Sequence, residues 1–328
     1  QHIGKLALLL DDSAADVQVV ADRKVTIRRD RSYLVTGGLG GLGLSVAGWL
    51  ADQGAGRLLL LGRTGVVSSE QQAAVAALQA QGTAVTIARV DVADGAGLQR
   101  VLADVAAAGP PLGGVVHAAG SLEDGLLAEQ TPAKFRRVMA PKILGALHLH
   151  TLTQGCPLDF FVMYSSIAGL LGSPGQGNYA AANTFLDALA HHRRGEGLPA
   201  VSIDWGAFAE VGLAAAQDNR GARLAARGLR SITPQQGLVA LRRILDDDRE
   251  QVGVTPLDIG AWTAAYPMTA SSPMLSRILK AGPAGTASAS AGLLSRLANA
   301  EGATRTAMLE EVVRTEIARV LRMPEGRI

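Results

Sequence analysis

The stretch that most constrains this chain is Tyr33–Gly43, Tyr-Leu-Val-Thr-Gly-Gly-Leu-Gly-Gly-Leu-Gly, which carries five glycines between Gly37 and Gly43. Tyr33, Leu34 and Val35 predict a short buried strand. Leu44, Val46, Ala47, Trp49 and Leu50 follow at once with helical spacing. Strand, glycine turn and helix in succession is the context in which such a loop binds a dinucleotide. Glycine lets the backbone turn tightly and approach a pyrophosphate, and the helix start offers free N–H groups and the positive end of its dipole. Gly37, Gly38, Leu39, Gly40, Gly41, Leu42 and Gly43 are the candidate cradle.

From Ser32 onward the pattern alternates. Strand-like runs lie at Tyr33–Thr36, Arg57–Leu61, Val85–Val90, Gly114–His117, Leu158–Tyr164, Ala200–Asp204 and Val252–Pro256. Helical stretches fall between them near 44–53, 69–81, 95–107, 133–152, 179–194 and 234–247. Continuous apolar strands between helices predict an α/β fold, a Rossmann-like doubly wound parallel sheet covered on both faces. Ligands of such sheets sit at the carboxyl ends of the strands. Residues 207–232, rich in Ala, Gly and Arg, interrupt the alternation after a strand end and read as a mobile helical lid.

Residues 1–30 hold one or two strands with no partner in sequence, and residues 31–280 hold the main domain. Ala-Gly-Pro-Ala-Gly-Thr-Ala-Ser-Ala-Ser-Ala opens a linker over 281–303. Beyond it, within 304–328, Met308, Leu309, Val312, Val313, Ile317, Val320 and Leu321 predict one amphipathic helix. Periodicity alone leaves open whether it packs on the main domain or begins a following, truncated one.

The net charge of +2 gives a nucleic-acid or anionic-membrane partner no support. Cys156 is the one cysteine, which excludes a disulfide within the chain and a cysteine metal cluster, and no metal site is expected. Neither a membrane-spanning run nor a signal peptide is evident, and Gln1 is not an initiator methionine. The expectation is a piece of a larger protein in a reducing cytoplasm.

The second strand ends at Gly62-Arg63. An NAD site wants an acid here for the ribose 2′-hydroxyl. Arg63 instead suits a 2′-phosphate, so NADPH is the expected cofactor. Asp91 and Val92 end the next strand, where a carboxylate can meet the adenine amino group. The strand Phe160–Tyr164 runs into Ser165-Ser166, and Tyr179 and Asn183, four apart, share one helix face. Carbonyl reduction needs a hydride donor, a proton donor and hydrogen bonds to the oxygen. Ser165 can hold the oxygen. Tyr179 can give the proton if a nearby cation lowers its pKa from about 10. The lysines are Lys5, Lys24, Lys134, Lys142 and Lys280. None follows Tyr179 closely, and Lys142, on another helix, is the best candidate.

Together, the glycine stretch, His117-Ala118-Ala119-Gly120, Lys142 with Gly145 and Leu147-His148, Ser165-Ser166 and Tyr179-Ala-Ala-Ala-Asn183 resemble the ketoreductase domain of type I polyketide synthases, a branch of the short-chain dehydrogenase/reductase superfamily. The resemblance spans roughly Ser32–Leu279. It implies a tetrad of Lys142, Ser165, Tyr179 and Asn183, and a cofactor lined also by Ala118, Ala119 and Gly120. It implies NADPH-dependent reduction of a β-ketoacyl thioester carried by an acyl carrier domain. His117 is expected to end a strand structurally. Leu122-Glu123-Asp124, in place of the family's Leu-Asp-Asp, together with Pro174 and Asn178 and the absence of a nearby tryptophan, implies the B-type class and a D-hydroxy product. Met308–Leu321 is similar to the first helix of a following carrier domain. His2-Ile3-Gly4-Lys5 resembles the exit of an enoylreductase, which makes an enoylreductase and a dehydratase neighbours. Two other functions stand beside this one: an inactive NADP-binding scaffold domain, and a stand-alone carbonyl reductase.

Overall fold

A computed structural model describes residues 24–209, 212, 220–281 and 300–321. The resemblance at His2–Lys5, the strand expected at Ile3–Leu10, part of the expected lid (210–211 and 213–219) and most of the expected linker lie outside the described residues. The chain divides into two compact units, Gln1–Pro256 and Leu257–Ile328.

The first unit is a seven-stranded sheet. Its strands are β1 (Ser32–Thr36), β2 (Arg57–Gly62), β3 (Ala84–Arg89), β4 (Leu112–His117), β5 (Phe160–Ser166), β6 (Val201–Trp205) and β7 (Gln251–Val254). They run in the order β3-β2-β1-β4-β5-β6-β7, with every pairing parallel. The order reverses between β1 and β4, which opens a crevice at their carboxyl ends.

Strand composition explains the layers. Along β1 and β2, Tyr33, Val35, Leu58 and Leu60 face one apolar core and Leu34, Leu59 and Leu61 the other, because successive side chains point to opposite faces. Each fully buried leucine contributes roughly 1.5–3 kcal/mol. Both cores are completed by the flanking helices: α1 (Gly41–Asp52), α2 (Ser69–Ala80) and α9 (Pro234–Asp246) on one face, α3 (Gly95–Ala108), α5 (Gly145–Thr153) and α7 (Gly177–Gly195) on the other. Between them lie α4 (Pro132–Met139), α6 (Ile167–Leu171) and α8 (Arg220–Ala225). Helix starts are set by side-chain caps: Ser68 and Thr233 form capping boxes with Gln71 and Gln236, and Asp94 and Thr131 cap α3 and α4.

One expected element differs. The helix expected over 133–152 is broken by a π turn at Ala140–Leu144. Pro141 has no N–H to continue the α-helical ladder, and the wider turn accommodates it. The ends of the 207–232 excursion are paired: Phe208 bridges Ile232, and the Ala209 N–H donates to the Ile232 carbonyl at 3.0 Å. In the second unit, α10 (Ile259–Ala265) is capped by Asp258, and α11 (Ser276–Ala281) and α12 (Gly302–Leu321) follow. Helix α12 covers the amphipathic stretch expected at Met308–Leu321.

Candidate active site

The glycine loop connects β1 to α1 at the crevice. Gly37 has φ of 64°, a left-handed conformation that side chains resist. Gly43, inside the first turn of α1, lies so close to Gly37 that an added Cβ would stand 2.1 Å from the Gly37 carbonyl oxygen and 2.7 Å from the Gly38 Cα. The helix is entered through Gly40, with no side chain capping its first N–H groups and no acid in its first turn. A tight, glycine-rich turn ending in an uncapped helix start fits the pyrophosphate of a dinucleotide. Gly41, Leu39 and Leu42 complete this loop.

Around it stand the other expected cofactor residues. Arg63 is exposed, one residue past β2. Asp91, also exposed, lies beyond β3, and its Oδ1 accepts from the Ala93 N–H at 2.9 Å. Val92 is buried against Gly145, where an added Cβ would meet it at 2.8 Å. Ala118, Ala119 and Gly120 leave the end of β4. The Ala118 N–H donates to the Thr36 carbonyl, and the Ala119 N–H to Thr36 Oγ1. His117, the last residue of β4, shares a 2.7 Å hydrogen bond with Thr36 through Nδ1. Burial and the Lys142 charge push its pKa down to about 3, which keeps it neutral.

The chemistry-bearing side chains meet beside this crevice. The π turn points Lys142 inward, where it is 3% exposed, and its Nζ donates to the Tyr164 carbonyl at 2.8 Å. The same Nζ lies 5.3 Å from the centre of the Tyr179 ring, a cation over an aromatic face. Burial lowers the Lys142 pKa to about 7, against the pull of Asp187 and Asp204. Ser165, buried near the end of β5, donates to the Asn183 carbonyl at 3.3 Å. Asn183 is fully buried. Its Nδ2 donates to the Tyr179 carbonyl at 2.7 Å, while Oδ1 has no protein donor. All four residues singled out from the sequence therefore converge.

The residues expected to set the stereochemistry lie on two facing, hydrogen-bonded loops. Asn178 Nδ2 donates to the Glu123 carbonyl and to Gln130 Oε1, both at 2.9 Å, and its Oδ1 caps the Tyr179 N–H. Asp124 accepts from Gln176 Nε2 at 3.0 Å, and the Gly125 N–H donates to the Gly175 carbonyl. Glu123 pairs with Arg137 at 2.7 Å, which holds its carboxyl below the usual range. Leu122 is half-buried at the start of this loop, and Pro174 is exposed in the facing one. The sequence did not reveal Gln130, Gln176 or Arg137, which are long polar side chains without a motif. Nor did it reveal Asp187, although Tyr179, Asn183 and Asp187 follow one another at helical four-residue spacing.

His150, His192 and Glu196 form the one metal-ligand-like cluster among the described residues. Arg193 donates to His150 Nδ1 at 3.1 Å, and His150 Nε2 faces the Gln154 amide nitrogen at 3.2 Å and Glu196 at 3.9 Å.

A parallel sheet with its order reversed at a glycine-rich βα turn, and a tyrosine beside a buried lysine at the strand ends, define a reductase of the nicotinamide-binding α/β class. A family model described as the KR domain matches residues 31–210. The chain belongs to the KR domain family. It is 37% identical over 98% of its length to one of the phenolphthiocerol/phthiocerol polyketide synthase proteins of Mycobacterium tuberculosis, of which it covers 14%. It is 38% identical over 81% of its length to a phthioceranic/hydroxyphthioceranic acid synthase of Mycobacterium bovis, of which it covers 13%. The chain thus spans a small fraction of these relatives. Among solved structures, an A1-type ketoreductase matches with 40% identity and a TM-score of 0.69, over 72% of this chain and 49% of that one. A C2-type ketoreductase from a modular polyketide synthase matches with 32% identity and a TM-score of 0.68, over 78% and 54%.

Proposed function

We propose that this chain uses NADPH to reduce a β-ketoacyl thioester, held on the phosphopantetheine arm of an acyl carrier domain, to the D-β-hydroxyacyl thioester within a polyketide synthase. The observation that carries this proposal is the buried Lys142 ammonium over the Tyr179 ring, beside Ser165 and the glycine loop. Gly37–Gly43 would hold the pyrophosphate, Arg63 a 2′-phosphate and Asp91 the adenine. Bound NADPH supplies the hydride for the β-carbon. Ser165 hydrogen-bonds the β-carbonyl oxygen. Tyr179 passes its phenolic proton to that oxygen as the carbonyl electron pair moves onto it. The Lys142 charge stabilises the tyrosinate left behind and so lowers the cost of the transfer. Asn183, anchored to the Tyr179 carbonyl, holds its free Oδ1 toward the lysine or a water. The relatives are themselves a polyketide synthase and a phthioceranic/hydroxyphthioceranic acid synthase by name, which supports the synthase setting, and α12 reads as the first helix of a carrier domain. Turnover of a ketoacyl thioester surrogate by the purified chain tests the proposal; a chain that binds NADPH yet turns over no surrogate is a scaffold domain instead.

Two further outcomes follow from particular residues. Arg63→Ala is expected to raise the NADPH KM on the order of tenfold, the worth of a charge-assisted phosphate contact, while barely moving that for NADH. Equal use of both cofactors by the unaltered chain contradicts the role given to Arg63. The loop at Leu122, Glu123 and Asp124, tied to Pro174–Asn178, supports a B-type reading, while A1-type and C2-type structures are among those the chain is similar to. Chiral chromatography of the surrogate product is expected to show the D-hydroxy isomer. Predominantly L product shows the class to be wrong while leaving the tetrad intact.

A further inference from the structure

Beneath the tetrad lie two carboxyl groups that the reduction described above leaves unassigned. Asp187 continues the α7 stripe of Tyr179 and Asn183. Asp204 stands on β6 directly across from Ser165 of β5 in the sheet register. Ser202, two residues before Asp204 and therefore on the same face of β6, donates its hydroxyl to Asp187 Oδ1 at 2.6 Å. The helix carboxyl and the strand carboxyl are thereby drawn to one spot, and the two interact directly. Asp204 is fully buried and Asp187 is 6% exposed. Gln251 Nε2 donates to Asp204 Oδ2 at 2.8 Å, but Asp204 Oδ1 has no donor from the protein. Two ionised carboxylates cannot share so dry a site, and a single proton held between them both removes the repulsion and gives the orphaned oxygen its partner.

We propose that Asp187 and Asp204 share one proton and, as a pair with a single negative charge, act as the counter-ion that keeps the buried Lys142 ammonium charged during reduction. They are positioning residues, acting through Lys142, and the proposal rests on the tetrad assignment made above. Burial and then the Asp187 charge raise Asp204 to about 7, and burial moves Asp187 upward as well, with its hydrogen bonds acting the other way. The other titratable groups around Lys142 supply no negative charge. His117 is neutral, and burial holds Tyr164 above the ordinary phenol range. Tyr179 enters the step protonated. Among the described residues, Asp187 and Asp204 are the acids that pull the Lys142 pKa upward against burial.

The sign of the effect follows. Lys142 contributes while protonated, so its contribution is present below its pKa and lost as pH rises through it. Removing the pair's negative charge lowers that pKa and moves the alkaline limb of activity to lower pH. A single asparagine replacement leaves one carboxylate free to ionise, so the charge survives and the limb stays nearly in place. The double replacement D187N/D204N removes it.

The test measures kcat against pH for the unaltered chain, D187N, D204N and D187N/D204N, together with infrared difference spectra of the cofactor-free proteins. The double variant is expected to shift the alkaline limb down by about one pH unit, roughly tenfold in the ammonium fraction above the limb; each single variant shifts it far less. The unaltered chain is expected to show a protonated-carboxyl C=O band at neutral pH that disappears in either single variant, where the remaining acid ionises. Superimposable pH profiles for the double variant and the unaltered chain overturn the proposal, as does a uniform loss of kcat at every pH, which marks a merely structural pair. A carboxyl band that is absent from the unaltered chain, or retained in both single variants, overturns it as well. The infrared result needs no turnover, so it decides the shared proton even if the double variant fails to fold. Failure of the unaltered chain to reduce any ketoacyl thioester counts against the function instead.

Discussion

Tyr179→Phe is expected to lower kcat on a ketoacyl thioester surrogate by about 10²–10⁴-fold, on the order of a positioned general acid's contribution. The substitution removes one oxygen and keeps the ring that lies 5.3 Å from Lys142 Nζ. The backbone at this position is also retained: its N–H donates to Asn178 Oδ1 and its carbonyl accepts from Asn183 Nδ2, both at 2.7 Å, and neither contact involves the phenol. Helix α7 and the glycine loop therefore keep their places. NADPH affinity, read by fluorescence titration, is expected to stay within a few-fold. Turnover retained within a few-fold of the unaltered chain removes Tyr179 from the proton-donor role. A parallel collapse of cofactor affinity shows instead that the phenol oxygen is structural.

Much of this site was legible because its residues sit where regular structure ends. Each strand core is a run of apolar residues, and the residues that follow it fall at the carboxyl edge of the sheet. Strand pattern alone thus puts Gly37, Arg63, Asp91, Ala118 and Ser165 at one edge. Tyr179 and Asn183 were legible through helical spacing alone. Lys142 was reached because no other lysine was suitably placed, and its inward direction depends on something that periodicity does not report. The π turn at Ala140–Leu144 rotates the helix by an extra residue, and only Pro141 marks it in the sequence. A straight α-helix through the same residues would have carried Lys142 on a different face.

What stayed hidden involves contacts between elements far apart in sequence. Asp187 and Asp204 are ordinary acids in the sequence, one inside an amphipathic helix and one near the end of an apolar strand. Their meeting depends on how α7 lies across β5 and β6, and on Ser202 as the tie between them. The same holds for the loop 122–125, whose anchor is a set of amide and backbone hydrogen bonds from Gln130, Gln176 and Asn178. Residue types pointed to the acids of that loop. They did not show that Glu123 is held by Arg137, which leaves Asp124 and its Gln176 contact as the acid nearer the start of α7.

Gly43→Ala is expected to weaken nicotinamide-cofactor binding on the order of a hundredfold, while Gly48→Ala, five residues along the same helix, leaves it unchanged. Both positions are helical, so alanine is intrinsically favoured at each by roughly 0.5–1 kcal/mol. Their surroundings set them apart. A Cβ at Gly48 meets nothing within 4 Å, whereas one at Gly43 would stand 2.1 Å from the Gly37 carbonyl oxygen and 2.7 Å from the Gly38 Cα. These neighbours are backbone atoms with no rotamer to escape into, and Gly37 is held at φ of 64°. The turn itself must move, and displacing a binding loop by ~1 Å is enough for an effect of this size. Thermal unfolding separates the two consequences: Gly48→Ala is expected to hold or raise Tm by a few degrees, and Gly43→Ala to lose the Tm gain that added cofactor confers on the unaltered chain. Unchanged cofactor affinity in Gly43→Ala shows that the loop can relax without losing its ligand, and takes from the tight turn the role assigned to it.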